Sequence, residues 1–363
     1  MNLVEKDLRS VASAAVFSGD EVILVANRKH HTVTLPAGHI LKGESALNAA
    51  RRELAEEAGV DLEENDLMFV TRLRRSAKKF DAIFAAQLPE KVETSPGGDA
   101  DSADWKPIDR LPPLMFRHDQ AIRLAQSALR IPPEKRGLLI VFEGIDGSGK
   151  STQISLLSDF LEHNAYAFTL TRWNSSDLVK DAISRSKKER RLSPALYFLL
   201  HAADMIDRHD GIIIPALRRN EIVVCDRYFY TGLVRDGLRG IDREYNRSIY
   251  QKVREPDMVI HFKVEPNVAI TRLARGKGLS YYGSGMDIGL GKSKEASALA
   301  YAQKMDELYD EVLPEHTLSL DASGDESAVH EQVMTALAPM IREKFGSGDL
   351  LEARELVEQL LQG

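Results

Sequence analysis

The chain has 363 residues, 43% of them hydrophobic, and a formal net charge of −7. This length predicts two domains with full-sized cores, and the negative charge argues against binding to a nucleic acid polymer or a membrane surface. Cys225 is the only cysteine, which excludes an intramolecular disulfide, and without a long apolar run or a signal-peptide pattern we expect a cytoplasmic protein.

The chain begins with a predicted β-hairpin and an amphipathic helix. Residues 11–17 and 21–26 are β-rich and flank a Ser-Gly-Asp turn. Further on, an apolar residue recurs every three or four positions, which predicts a helix with one buried face. That face consists of Leu47, Ala50, Leu54 and Ala58.

Three glutamates share another face of this helix. Glu53, Glu56 and Glu57 are close enough to repel one another on a bare helix. With Glu44 upstream they suit Mg²⁺ or Mn²⁺, which prefer oxygen ligands. The alternative is a solvated acidic face, but the glycines that bracket the stretch and the additional Glu44 favour a metal site.

The same stretch resembles the Nudix family. Its pattern G-x5-E-x7-R-E-U-x-E-E-x-G-U, with U aliphatic, is matched throughout residues 38–60. The resemblance implies a pyrophosphohydrolase that cleaves a nucleoside diphosphate linked to another group. It implies that Glu56 and Glu57 bind metal, helped by Glu53 and the Gly38 carbonyl, and that Arg52 orients the carboxylates. A box glutamate or a downstream one would activate water.

The remainder of this domain fits the resemblance. Residues 80–87 are strand-like, 104–109 resemble the segment before the family's last helix, and 119–130 would be that helix. Asp101 and Asp104 are either an extra metal ligand or solvated loop acids. Trp105 is expected to pack in the core rather than stack on a base, and His30 and His31 to be exposed turn residues.

The middle of the chain carries a phosphate-binding loop. An apolar run at 138–142 leads into G-x-x-x-x-G-K-S, and a helix-like segment follows at 152–162. Glycines let backbone N–H groups curl toward phosphate oxygens, a lysine adds a positive charge and a serine offers a hydroxyl to Mg²⁺. The expected nucleotide-binding residues are Gly144, Asp146, Gly147, Ser148, Gly149, Lys150, Ser151 and Thr152.

Strands and helices alternate after this loop, which predicts a parallel sheet covered by helices. Strands are expected at 167–171, 221–225 and 258–264. Helices are expected from Ser193-Pro194 to about residue 209 and from about residue 266. The polar residues that follow these strands should meet at one edge of the sheet.

This half resembles thymidylate kinases among the nucleoside monophosphate kinases. The matching pieces are FEGIDGSGKST, the Thr-Arg pair at 171–172, LLHAAD at 199–204, and the long runs at 212–232 and 256–278. The resemblance implies transfer of the ATP γ-phosphoryl group to a nucleoside monophosphate. It implies that Arg172 holds the acceptor phosphate, Asp226 and Arg227 handle Mg²⁺ and phosphates, and Asp146 reaches the acceptor sugar.

The acceptor site departs from the family pattern. TRWNSS stands where TREPGGT is usual, and His201 and Met205 align with the phenylalanine and arginine that recognise thymine. Because methionine donates no hydrogen bond, thymine recognition is open, and Trp173 or Tyr228 is a candidate to stack on the base.

The segment 276–294 is predicted to be a glycine-rich lid. Its candidate phosphate contacts are Arg275, Lys277, Lys292 and Lys294, each with a solvated surface charge as the alternative. The basic run 185–191 is expected to be a solvated helix face. A C-terminal helix at 349–362 is expected to pack on the chain's own core or on a second subunit. The resemblance to thymidylate kinases, which are commonly dimers, implies a homodimer.

These patterns predict an α/β protein in two parts. A Nudix α/β/α sandwich with a mixed sheet occupies 1–130, a linker 131–137, a P-loop parallel-sheet kinase domain 138–342 and a helical tail 343–363. The expected function is bifunctional: Mg²⁺- or Mn²⁺-dependent pyrophosphohydrolysis and ATP-dependent phosphorylation of a nucleoside monophosphate, dTMP first. The alternatives are a kinase for a modified or non-thymine nucleotide, or a nucleotide sensor whose kinase site does not turn over.

Overall fold

Two β-sheets organise the chain, one on each side of residues 131–137. The computed structural model describes residues 10–27, 32–76 and 79–345. Sheet A contains β1 (Val11–Ser18), β2 (Glu21–Asn27), β3 (Thr32–Thr34), β4 (Ala37–His39), β5 (Met68–Ser76), β6 (Lys79–Leu88) and β7 (Ser102–Pro107). Sheet B contains β8 (Leu138–Glu143), β9 (Phe168–Arg172), β10 (Ile222–Asp226), β11 (Met258–Lys263) and β12 (Leu318–Asp321).

Helices cover and connect these sheets. The first half has α1 (Ala46–Ala58) and α2 (His118–Leu129). The second half has α3 (Lys150–His163), α4 (Lys180–Lys188), α5 (Pro194–Arg208), α6 (Ile214–Arg218), α7 (Phe229–Gly237), α8 (Arg243–Ile249), α9 (Pro266–Arg275), α10 (Lys294–Val312) and α11 (Glu326–Phe345). Among the described residues no helix is long and apolar enough to cross a membrane.

Sheet A is mixed and lies between two helices. Strand β1 runs antiparallel to β2 and β4 but parallel to β6. Because successive strand side chains point to opposite faces, Ala14 and Val16 pack on the α1 side and Ala15 and Phe17 on the α2 side. The predicted α/β/α sandwich with a mixed sheet is therefore confirmed.

Sheet B is parallel throughout, in the order β12-β11-β8-β10-β9. Helices α3 and α11 pack on one face, and α5, α7 and α10 pack on the other. Strand β8, with neighbours on both sides and helices on both faces, is buried at all six residues. The carboxyl ends of β8, β9 and β10 meet at one edge, as predicted.

The two sheets share an interface that the sequence did not reveal. Phe69 of β5 donates its N–H to Arg219 O at 2.7 Å and lies 5.8 Å, centroid to centroid, from the Phe345 ring. Arg72 donates to the Asn164 side chain at 3.0 Å and stacks on the Phe80 ring. One apolar cluster runs through both halves as a result.

Most of the long predicted elements are confirmed within a few residues, and several short or irregular strands were missed. β3 and β4 have three residues each, and β5 carries register shifts, so none of these three strands shows a clean alternating pattern. Helix α11 continues through residue 342 to Phe345, past the expected start of the tail. The predicted helix at 349–362 and both His30 and His31 lie outside the described residues.

Candidate active sites

The phosphate loop connects β8 to α3 in a conformation that needs glycine. At Gly147 the φ angle is +86°, and a Cβ there would lie 2.4 Å from Ala269 O. An L-residue is strained at this φ, and the backbone of α9 leaves no space for a side chain. Gly147 therefore fixes how the loop approaches α9.

Lys150 opens α3 and folds back over its own loop. Its Nζ donates to Gly144 O at 3.0 Å, Ile145 O at 2.8 Å and Ser148 Oγ at 3.1 Å. Burial and the nearby Arg227 guanidinium lower the pKa of Lys150. An anion in the loop would offer this buried ammonium a better partner than neutral carbonyls.

Two cavities meet beside this loop. The phosphate-loop cavity, about 670 Å³, extends from residues 146–153 past Leu273 to Val329. The Tyr197 cavity, about 450 Å³, is bounded by Arg172, Tyr197 and the segment 280–283. The residues that line both cavities are Asp146, Asp226, Arg227, Ser280 and Gly283.

Two guanidinium groups hold Asp146 where the cavities meet. Arg227 and Arg235 both donate to its carboxylate, the latter at 2.9 Å. Burial by itself would raise the pKa of Asp146, but Arg235 and Arg227 outweigh it and hold that pKa well below its usual range. The carboxylate is therefore ionised and fixed in direction.

Arg227 is positioned by its backbone and by Glu143. Its φ of +74° is uncommon for a residue with a side chain, and Nη1 donates to Gly144 O at 2.8 Å. Glu143, at the end of β8, accepts from Tyr228 N at 2.8 Å and from Thr231 Oγ1 at 2.6 Å. Glu143 thus ties the phosphate loop to the start of α7.

Aromatic rings form one wall of the Tyr197 cavity. Tyr197 and Trp173 line it, and His201 lies between their rings at centroid distances of 4.0 and 5.6 Å. His201 is fully buried, and burial together with Lys187 lowers its pKa well below the usual value. This neutral stack holds Tyr197 and Trp173 in place.

The segment between α9 and α10 lies across both cavities. Arg239 donates to both Asp287 carboxylate oxygens, at 2.8 and 3.1 Å, and to Tyr282 O at 3.1 Å. The Tyr282 hydroxyl accepts from Leu192 N at 3.0 Å. Residues 276–293, which we call the strap, are therefore anchored to α7 and to the segment before α5.

In the first half, Arg52 gathers the acidic side chains of the Nudix-like stretch. It donates to Glu44 at 2.9 Å, Glu53 at 2.5 Å and Glu56 at 3.3 Å. Burial would raise the pKa of Glu44, but the bonds from Arg52 and from Leu41 N lower it overall. One guanidinium thus neutralises much of the repulsion expected on this helix face.

Glu57 lies apart from Arg52 and faces the strand β4. It accepts from Ala37 N at 2.9 Å. Burial raises the pKa of Glu57 to about 7, with further contributions from Glu53, Asp99 and Glu56. A Cβ on Gly38 would overlap the Glu53 carboxylate, so a larger residue there would displace this carboxylate.

Comparison with known proteins places both halves in families. The family model for thymidylate kinase matches residues 142–333, which is more than half of the chain. The chain belongs to the thymidylate kinase family. The NUDIX domain model matches residues 7–125, so a Nudix domain precedes the thymidylate kinase domain.

Curated relatives agree with this assignment. The chain is 37% identical over 192 residues to probable thymidylate kinase 2 of Saccharolobus solfataricus, covering 52% of this chain and 89% of the relative. It is 34% identical over 144 residues to the probable thymidylate kinase of Pyrococcus horikoshii, 38% of this chain and 70% of the relative. It is 31% identical over 212 residues to thymidylate kinase of Pelobacter propionicus, covering 54% of this chain and 92% of the relative.

Several expected residues of the thymidylate kinase site do lie together. Lys150, Asp146, Asp226 and Arg227 line the phosphate-loop cavity, and Arg172 is an exposed residue on the wall of the Tyr197 cavity. The remaining loop residues that line the first cavity are Gly147, Ser148, Gly149, Ser151 and Thr152.

Three expected acceptor residues are buried elsewhere. Met205 has no exposed surface and its sulfur accepts from Arg208 at 3.3 Å. Tyr228 is equally buried, with its hydroxyl bonded to Arg254 O, so it cannot stack on a base. His201 supports the cavity wall without lining it. Tyr197, one helical turn before His201, lines the cavity instead, although its ring is almost completely buried.

The predictions for the basic residues of the lid and of the run 185–191 were partly wrong. Of the four basic lid candidates only Lys277 lines a cavity, while Arg275, Lys292 and Lys294 do not. The basic run 185–191 is not simply solvated, because Lys187 and Lys188 line the Tyr197 cavity. Sequence spacing contained this signal: Lys187 follows the buried Ile183 by one helical turn.

The residues singled out near the end of the Nudix domain have different surroundings. Asp104 is exposed and pairs with Lys106 at 3.3 Å. Asp99 contributes to the raised pKa of Glu57, although no role was predicted for its loop. Trp105 donates to Val92 O at 2.9 Å and packs against the shared core, as expected.

The donor atoms fit divalent cations at both sites. Within the described ranges no group of three or more His, Cys, Asp or Glu side chains is assembled to hold a metal. At the kinase site that suits Mg²⁺, which uses one or two protein oxygens plus phosphate oxygens, here from Ser151 and Asp226. At the Nudix site, burial first and the carboxylates of Glu53, Asp99 and Glu56 second raise the pKa of Glu57, and a bound cation would favour its ionised form.

Proposed function

We propose that the protein is a bifunctional nucleotide enzyme. Its second half phosphorylates a nucleoside monophosphate, with dTMP as the first candidate, and its first half hydrolyses a nucleoside diphosphate derivative. The observation that carries the kinase proposal is the meeting of two cavities at Asp146, Asp226 and Arg227. A donor and an acceptor nucleotide in these cavities would bring their phosphates together there.

The residues of this junction suit phosphoryl transfer. Mg·ATP, when bound, supplies the phosphoryl group and the cation that neutralises its oxygens. Lys150 turns from its own carbonyls toward the donor phosphates, and Arg172 holds the acceptor phosphate. Arg227 bridges both cavities with a guanidinium that bonds two oxygens at once. Asp146, fixed by Arg227 and Arg235, accepts a hydrogen bond from the acceptor sugar.

The Nudix half is proposed to bind Mg²⁺ or Mn²⁺ through Glu53, Glu56 and Glu57, with the Gly38 carbonyl. Such a cation neutralises a diphosphate and lowers the pKa of water. Arg52 keeps these carboxylates oriented through its bonds to Glu53 and Glu56. Gly38 leaves Glu53 the space it needs.

A kinase assay with Mg·ATP and a panel of ribo- and deoxyribonucleoside monophosphates tests the kinase. We expect turnover of dTMP by the wild type and a loss of at least about a hundredfold in Lys150→Ala. Preference for another acceptor would indicate a kinase for a modified or non-thymine nucleotide. The burial of Met205, which leaves the aligned position without a base contact, supports that alternative. ATP binding without transfer to any acceptor would favour a sensor.

The Nudix half is tested by release of a monophosphate from nucleoside diphosphate derivatives with Mg²⁺ or Mn²⁺. Glu56→Gln should remove this activity and leave kinase turnover unchanged, whereas Lys150→Ala should do the reverse. Coupling is tested with one pot of Nudix substrate and Mg·ATP. If neither domain accepts the other's product, the two activities are not consecutive.

A further inference from the structure

Among the residues that the structure describes, Lys187 has no carboxylate as an ion-pair partner. It is carried by α4, whose buried Ile183 sets the inward face of that helix. Because Lys187 lies one turn after Ile183, its side chain must point inward, whereas Arg185 is exposed. Its Nζ lies 5.8 Å from the centre of the Tyr197 ring, in the wall of the Tyr197 cavity.

The surroundings of Lys187 are positively charged. Burial and the guanidinium groups of Arg235 and Arg239 lower the pKa of Lys187 to about 7, against a smaller opposing effect of Asp146 and Asp204. Over residues 10–27, 32–76 and 79–345 no carboxylate lies within ion-pair distance of its Nζ. Withdrawing an ammonium from water without a partner costs free energy unless an anion completes the site.

The phosphate loop leaves a role open for such a cation. Residues 147 and 148 are glycine and serine, so Lys150 is the loop's one positive charge. The strap supplies Lys277, which lines the phosphate-loop cavity only. On the acceptor side, the cations must therefore come from other elements, and Asp146 already engages Arg227 and Arg235.

We propose that Lys187 is a catalytic residue of the kinase reaction, whose ammonium contacts the phosphoryl group as it passes to the acceptor. This inference rests on the proposed kinase function. An acceptor phosphate oxygen forms a new bond to the γ-phosphorus while the bond from that phosphorus to the β–γ bridging oxygen breaks and ADP leaves. The adjacent phosphate oxygens favour the charged form of Lys187, which donates hydrogen bonds to the equatorial oxygens and transfers no proton.

The assignment predicts an effect on turnover rather than on binding. Removing one donor aimed at charge that develops in the transition state typically lowers kcat by about a hundredfold or more. Lys187→Met should show such a loss, with the KM values for ATP and dTMP within about threefold of wild type. Lys187→Arg, which keeps the positive charge, should retain part of the wild-type kcat. Arg185→Met, on the same helix but exposed, serves as the matched control.

The experiment combines steady-state kinetics with trapping of ADP by fluoroaluminate in the presence of dTMP. Wild type and Arg185→Met should retain ADP in a slowly dissociating complex, and Lys187→Met should bind ADP normally without trapping it. Unchanged kcat, or a change confined to KM, would overturn the role of Lys187 alone. A wild-type chain that binds ADP but transfers to no acceptor would overturn the kinase proposal and this inference with it.

Discussion

Glu57 is a carboxylate whose environment disfavours its charge. Its pKa is raised from 4.5 to about 7 by burial and by neighbouring carboxylates. Because the folded state holds its proton more tightly than the unfolded state, the ionised group destabilises the fold. The effect is absent below pH 4.5, grows between pH 4.5 and 7, and is complete above pH 7.

Glu57→Gln is therefore expected to stabilise the metal-free protein while removing Nudix activity. After allowance for partial solvent exposure, the free energy of unfolding should rise by about 1 kcal/mol at pH 8. At pH 4 the gain should vanish. Denaturant unfolding in chelator, at both pH values, measures this difference, with Glu63→Gln, an exposed acid, as the control.

Met205 and Tyr197 separate packing from recognition on one helix. Met205→Leu keeps volume in a core position and should leave the KM for the acceptor within twofold or so. Tyr197→Leu removes the ring that supports His201 and, through it, Trp173 in the cavity wall. That KM should rise by about tenfold, because stacking of a base on a wall aromatic such as Trp173 is worth roughly 1–3 kcal/mol. A larger KM effect from Met205→Leu than from Tyr197→Leu would contradict this arrangement.

At the scale of elements, the strap and α7 are joined through one buried arginine. Arg239 holds Asp287 and Tyr282 O, so it fixes residues 282–287 over Asp146. A cover in this place excludes water from the junction of the two cavities. The rigidity of the strap should decide whether the γ-phosphoryl group of ATP is transferred to an acceptor or to water.

Asp287→Asn tests the strap. Loss of the charge weakens the pair with Arg239 without removing its bond to the Tyr301 hydroxyl. We expect acceptor-independent ATP hydrolysis to rise several-fold relative to transfer, measured as ADP formed with and without dTMP. Asp177→Asn removes the partner of Lys180 on the surface and should change neither rate. Equal ratios in both variants would show that the strap does not control water access.

At the scale of the whole molecule, the two families share one core. Phe69, Tyr166 and Phe345 come from both halves and lie within 6.4 Å of one another, centroid to centroid. The chain also contains two tryptophans, Trp105 on the Nudix side and Trp173 on the kinase side. When one tryptophan is replaced by phenylalanine, the fluorescence of the remaining one reports on the unfolding of its own half.

Phe69→Ala should therefore destabilise both halves. Truncating a buried phenylalanine costs about 3–5 kcal/mol, and the cavity would lie between the sheets. In the Trp105 and Trp173 single-tryptophan backgrounds, both unfolding transitions should shift to lower denaturant. Leu41→Ala, at an exposed position, should shift neither. A shift of the Trp105 signal alone would mean that the halves unfold independently.

An exposed apolar stripe on α5 favours the predicted homodimer. Leu196, Leu199 and Ile206 are exposed and lie on the same outer face of that helix. We predict that a second copy covers this stripe. Leu199→Glu should convert the dimer to a monomer in sedimentation equilibrium, and a wild type that sediments as a monomer would contradict the prediction.

Local spacing by itself determined both families and their metal- and phosphate-binding stretches. The Nudix box and the phosphate loop are contiguous, so the chemistry of each is written within about twenty residues or fewer. The buried face of α1 followed from the period of 3.6, and the strands that became β9, β10 and β11 followed from short apolar runs. These patterns depend on near neighbours along the chain.

Only the tertiary structure decided which side chains face the cavities. Met205 and Tyr197 lie on one helix, and the packing of α5 against α7 buries the first and leaves the second on the wall. Lys187, Arg235 and Glu143 reach the site from separate elements, and β5 meets the kinase half through contacts more than 90 residues apart. Whether such a side chain is buried or lines a cavity depends on which element packs against its own. The spacing of residues along one element does not contain that information.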